Sequence, residues 1–132
     1  MTVHPQIDSS AIRAAAKRIE PHVLVTPVIA QESFGKQLSC RLFFKPENLQ
    51  HTGSFKVRGA TNAVLQLPDQ LAARGVVTHS SGNHAAALAR AARLRDIPAS
   101  IVMPENSVPG KIEAVRSFGV EPVFCQPTEE SR

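Results

Sequence analysis

The chain has 132 residues, with 15 Lys+Arg against 11 Asp+Glu for a formal net charge of +4. That length allows one domain, or parts of two, around a modest core, and no apolar run approaches the ~18 residues of a membrane span. The basic residues are scattered and the only aromatic side chains are six phenylalanines, which argues against a nucleic-acid surface built on a basic patch and base stacking.

Asp8 or Ser9 is predicted to cap an amphipathic helix that runs to about Ile19 and is ended by Pro21. Arg41-Leu42-Phe43-Phe44-Lys45 reads as a strand. Thr52 to Ala60 reads as a loop entering a helix over Phe55–Leu67, with Gly53 freeing the turn, Thr52 or Ser54 as cap and Pro68 closing the helix. From Gly75 the pattern becomes regular. Val76–Thr78, Ala99–Met103 and Val120–Cys125 read as strands, alternating with helices over Asn83–Leu94 and Lys111–Phe118. Ser107 with Pro109 marks the start of the second of these helices and Gly119 its end.

Strands alternating with helices imply parallel pairing and right-handed crossovers, hence an α/β fold with a parallel sheet and flanking helices. Ala85, Ala86, Ala89 and Ala92 keep one helix slim enough to approach a sheet closely. A boundary near Gly75 divides the chain into 1–74, part of a larger unit, and 75–132, a small and incomplete α/β domain. Thr128 followed by Glu129 and Glu130 has the chemistry of a further helix start. Cys40 and Cys125 flank apolar runs and are expected to be small buried hydrophobes in a reducing compartment. The histidines (His4, His22, His51, His79 and His84) show no ligand spacing, so no metal is assigned. The N-terminus lacks a basic-then-apolar leader pattern, which points to the cytoplasm.

Two segments carry the chemistry. The helix start at Lys56-Val57-Arg58 holds two cations and no acid, although a helix N-terminus is partly positive and stabilises anions. A cation held in that field and partly desolvated has its neutral form favoured, and a neutral amine is the nucleophile that Schiff-base chemistry requires. Ser80-Ser81-Gly82-Asn83-His84 then closes a strand and opens the alanine-rich helix, where free backbone N–H groups form an anion site. A nucleophilic lysine beside an anion cradle suits an amino acid bound through its carboxylate.

The stretches KPENLQHTGSFKVRGATNAV (Lys45 to Val64) and VTHSSGNHAAALA (Val77 to Ala89) resemble the serine/threonine dehydratase and serine racemase family of pyridoxal-phosphate enzymes. The likeness runs from about Ile12 to Arg132 and implies the tryptophan-synthase-β type of fold. It also implies that Lys56 bonds to pyridoxal 5'-phosphate and shuttles the α-proton, that Phe55 packs near the pyridine ring, and that Asn83 hydrogen-bonds the ring hydroxyl. By the same resemblance, Ser81, Gly82 and His84 line the loop that holds the substrate carboxylate. Ser81 is further the position that presents a hydroxyl on the cofactor face opposite the lysine in racemase-like members, where threonine-restricted dehydratases tend to have alanine. The implied substrate is serine, threonine or a related hydroxy-amino acid.

Seven glycines are present and no two are adjacent, so the family's consecutive-glycine loop for the cofactor phosphate is missing from this chain. The partner of the pyridine nitrogen and the family's metal-binding carboxylates belong to its C-terminal half. The chain is therefore expected to be a truncated or split member, weak or inactive alone, which self-associates or needs the missing half. The other expectation is a non-catalytic remnant that serves as a binding or oligomerising module.

Overall fold

The computed structural model describes residues 7–131; His4 and Arg132 lie outside them. Helix α1 spans Ser9–Ile19, strand β1 Ile29–Ala30, helix α2 Glu32–Gln37 and strand β2 Phe43–Phe44. Helix α3 spans Lys56–Leu65, α4 Asp69–Ala72, β3 Val76–His79 and α5 Asn83–Arg95. Strand β4 at Ala99–Pro104, helix α6 at Pro109–Arg116 and strand β5 at Val123–Cys125 complete the order. Short 3-10 turns at Glu20–His22, Glu47–Leu49 and His51–Gly53 connect the early elements.

Strands β3, β4 and β5 form one parallel sheet in that order, with Val76 opposite Ala99 and Val102 opposite Val123. Alternation along the strands splits the sheet into two faces. Val76, Ala99, Ile101 and Met103 join the buried cluster of α3, α5 and α6, while Val77 on the other face is 74% exposed. Strands β1 and β2 make a separate two-stranded antiparallel ribbon. The parallel pairing and flanking helices expected from the sequence are present.

Helix α5 occupies the centre. Ala85, Ala86, Ala87, Leu88, Ala89, Ala91 and Ala92 are all buried, because α5 packs on β3 and β4, on α6 and on α3. Its neighbours contribute Val57, Ala60 and Val64 from α3, Ile101 and Met103 from β4 and Val115 from α6. One buried cluster thus takes residues from both sides of Gly75, itself a left-handed turn at φ +82° where a Cβ would sit 2.7 Å from the Pro98 carbonyl oxygen.

Several boundaries differ from the sequence reading, each for a physical reason. Asp8, not Ser9, caps α1 by accepting from the Ala11 N–H at 2.8 Å. Helix α6 starts at Pro109 with Val108 before it, and Ser107 is buried with its hydroxyl unpartnered, so it is no cap. Strand β5 begins after Pro122, which has no N–H to give a ladder. Helices α2 and α4 and strand β1 are too short to show a periodicity. Residues 126–131 form bends and turns without a helix. Cys40 is exposed and not a buried hydrophobe; Cys125 is half-buried, and both are free thiols. Among the described residues no helix is long and apolar enough to cross a membrane.

The approach to α3 is tied down by polar contacts. Arg58 makes a fork onto Glu47, Nε to Oε2 at 2.7 Å and NH2 to Oε1 at 2.8 Å, and the Thr26 hydroxyl donates to Oε1 at 2.6 Å. Gln50, buried, bridges both the N–H and the carbonyl of Leu24. These bonds clamp residues 24–26 against the segment that delivers Lys56. The Arg58 hydrogen bonds, with help from Thr26, hold the Glu47 carboxyl down to about 2 against partial burial, which acts the other way. A depressed carboxyl stabilises the fold above its ordinary value of 4.5 and loses that contribution as pH falls from there to about 2. Glu47→Gln should therefore cost ~2 kcal/mol at neutral pH. Denaturant unfolding at neutral pH and near pH 3 should show the gap between wild type and variant shrinking on acidification; an equal gap at both would contradict this account.

Candidate functional site

The site lies where the carboxyl end of β3 passes into α5, the usual place for a ligand in an open parallel sheet. Ser80 extends the ladder by donating its N–H to the Val102 carbonyl at 2.9 Å. The Ser80 hydroxyl then accepts from the Gly82 N–H at 3.3 Å, which folds the chain back into α5. Gly82 precedes the helix with no side chain capping it, and the first turn carries no acid. A Cβ at Gly82 would meet nothing within 4 Å, so the space beside the helix start is open. The Ala85 N–H is paired with the Gly82 carbonyl, and the Asn83 and His84 N–H groups, first in the helix, have no intrahelical acceptor.

Helix α3 brings Lys56 to the same end. It runs alongside α5 in the same direction: Lys56 acts electrostatically on His84 at the start of α5, and Arg95 near its end donates to the Val64 carbonyl. Phe55 precedes α3 and is 60% exposed, and the Lys56 ammonium stands 5.3 Å from its ring centroid. Neither expected cap closes α3 well. Ser54 Oγ accepts the Lys56 N–H at a long 3.4 Å, and Thr52 sits in the preceding turn with a left-handed φ of 62°. Such a backbone is costly for a β-branched residue and clusters at functional sites.

Helix α6 supplies a third group. Lys111, in its first turn, donates from Nζ to Asn83 Oδ1. His84 is half-buried, and its imidazole is held below the ordinary histidine range by that burial first and by the Lys56 ammonium second. Lys56, Phe55 and Ser81 are exposed, while Gly82, Asn83 and His84 are half-buried. The starts of α3, α5 and α6 thus gather Lys56, Asn83, His84 and Lys111 with no acid in any first turn. The arrangement can take an anion at the α5 start and offers a primary amine beside it.

Lys111 was not among the residues expected at the site. Its signal was available, because first turns of successive crossover helices in a parallel sheet share one edge. Arg58 was grouped with Lys56 as a second cation of the helix start, but its charge is matched by Glu47. A hollow of about 740 Å³ between α2 and Arg41–Phe43 touches none of the site residues.

The donor set fits one end of pyridoxal 5'-phosphate: an amine for its aldehyde, a carboxamide for its ring oxygen and an aromatic side chain beside them. The profile of the family described as "Pyridoxal-phosphate dependent enzyme" matches residues 19–132. The chain belongs to this family. It is 49% identical over 119 residues to the beta-hydroxyaspartate dehydratase of Paracoccus denitrificans, covering 90% of this chain and 38% of that protein. It is 47% identical over 125 residues to the serine racemase of Oryza sativa subsp. indica, covering 95% of this chain and 37% of the relative. The structure of maize serine racemase superposes with a TM-score of 0.88 at 47% identity, over 94% of this chain and 38% of that one. The chain therefore spans little more than a third of the length of these relatives, and its cofactor is pyridoxal phosphate by family membership.

The two causes acting on His84 can be separated. Lys56→Met removes the neighbouring charge and leaves burial, so the His84 titration followed by NMR should move up toward 6.5, its ordinary value, without reaching it. No movement, or a downward one, would show that Lys56 does not face His84.

Proposed function

We propose that this chain carries the lysine and substrate-carboxylate half of a pyridoxal-phosphate dependent ammonia-lyase or racemase acting on serine, threonine or a related β-hydroxy amino acid. The observation that supports the reading most is the packing of α3 along α5, with Arg95 at the far end of α5 donating to the Val64 carbonyl, which leaves the start of α3 at Lys56 and the uncapped start of α5 at one end of the fold. The names of the relatives, a serine racemase and a beta-hydroxyaspartate dehydratase, support the substrate class.

In this reading Lys56 holds the cofactor, Phe55 flanks its ring and Asn83 donates to its ring oxygen. When bound, the cofactor supplies an electron sink for the pair left behind as the α-proton departs. Lys56 takes that proton on its side of the substrate. The Ser81 N–H and the first N–H groups of α5, with the nearby His84, bind the substrate carboxylate. The Ser81 hydroxyl serves as proton donor and acceptor on the opposite face. Loss of the β-hydroxyl as water releases an enamine that solvent water hydrolyses to a keto acid and ammonia; return of the proton from the Ser81 side inverts the α-carbon. The phosphate has no adjacent-glycine cradle among these 132 residues. A cradle's charge-assisted bonds contribute roughly 1.5–3 kcal/mol each, so the 132-residue chain alone should bind the cofactor weakly and turn over poorly.

Borohydride reduction with pyridoxal phosphate, followed by peptide mapping, should label Lys56. The chain has no Trp or Tyr, so a bound cofactor band stands out in absorbance. Label spread evenly over Lys17, Lys36, Lys45 and Lys111 would sink the assignment.

In a chain of the relatives' full length that carries this sequence, Ser81→Ala should abolish racemisation and turnover of D-serine while largely sparing elimination from L-serine. Equal loss of both would make Ser81 a binding residue and not a second proton carrier.

A further inference from the structure

A carboxamide can meet a ligand with its oxygen or with its NH2, and the two ends ask for opposite partners. Asn83 has that choice made for it. The Lys111 ammonium is a donor only, and it contacts Asn83 Oδ1. With the oxygen held by Lys111, the two N–H bonds of Asn83 are left for whatever occupies the space in front of α5. The contact joins the first turn of α6 to the first turn of α5, which follow successive strands of the sheet. Lys111 is half-buried, and the first turn of α6 contains no acid that would draw its charge elsewhere.

We propose that Lys111 is a positioning residue of the cofactor site, which locks the Asn83 carboxamide with its NH2 facing the cofactor's ring oxygen and lends that oxygen positive potential. The inference rests on the reading of the site given under Proposed function. The ammonium polarises the carboxamide, so the Asn83 N–H groups become stronger donors. A deprotonated, negative ring oxygen is then favoured over the protonated one. Without Lys111 the carboxamide is free to turn, and its oxygen would face the ring oxygen with two acceptors opposed.

The test compares wild type, Lys111→Met and Lys111→Arg in two measurements, with circular dichroism as a check that each is folded. First, the side-chain amide signals of Asn83 are followed by NMR in the cofactor-free chain. Lys111→Met should shift them and speed their exchange with water, and Lys111→Arg should keep them near the wild-type positions. Second, pyridoxal 5'-phosphate is titrated by absorbance. Lys111→Met should weaken binding about tenfold, equivalent to ~1.4 kcal/mol, and move the bound band to shorter wavelength as the ring oxygen regains its proton. Lys111→Arg should restore the band. A Lys111→Met chain with wild-type amide signals and a wild-type band overturns the role of Lys111 alone. The absorbance titration uses a chain of the relatives' full length that carries this sequence, and an otherwise unsubstituted chain of that kind with no cofactor band overturns the reading of the site itself, and the Lys111 role with it.

Discussion

The alanine surface of α5 is the constraint from which the rest follows. A helix placed between a sheet and two other helices has to be slender on every contacted side, and α5 meets that need with Ala85, Ala86, Ala87, Ala89, Ala91 and Ala92, all buried. Close-packed interiors have no slack for extra methylenes. A larger side chain on the α3 side would push away the helix that begins at Lys56. Distance between the α3 and α5 starts is therefore set by packing, and the proximity of Lys56 to His84 is a product of that packing.

The charges are arranged around the same geometry. Lys56 and Arg58 stand two residues apart on α3, yet they do different things. Arg58 turns back to Glu47, with Thr26 beside them, and ties α3 to the segment before it. Lys56 has no acid partner and lies by the Phe55 ring, and its charge adds to the burial that holds His84 below its ordinary range. Matching Arg58 locally leaves the field at the α5 start to Lys56, Lys111 and the helix ends. A positively biased opening with no acid in its first turns has a built-in preference for carboxylates and phenolates.

The fold also shows how a chain spanning little more than a third of its relatives' length can hold a continuous core while leaving a sheet face exposed. A parallel sheet is normally covered on both faces, and here one face is packed by α5 and α6 while Val77 and Val123 remain 74% and 56% exposed on the other. The core is nonetheless continuous, because the α3–α5 contact joins the two halves of the sequence through Val57, Ala60 and Val64.

The sequence by itself determined the elements with strong local signals. The alternation after Gly75, the alanine run of α5, the start of α1 at Asp8 or Ser9 and the Lys56 and Ser81-Gly82-Asn83-His84 motifs were legible because each is written in neighbouring residues. Tertiary structure alone decided the rest. Whether Ser9 or Asp8 capped, and whether Ser107 or Val108 preceded α6, depended on where a side chain could reach. The short elements α2, α4 and β1 carry too few residues for a period to show, and β1 exists as a strand only through its pairing with β2. The crossover pattern puts Lys111 and Asn83 at one edge of the sheet, but their bond, like the fork from Arg58 to Glu47, is not specified by any neighbouring residues. Such pairs exist only after strands have set the register and helices have packed, because a hydrogen bond acts over about 3 Å and nothing local brings its two ends that close.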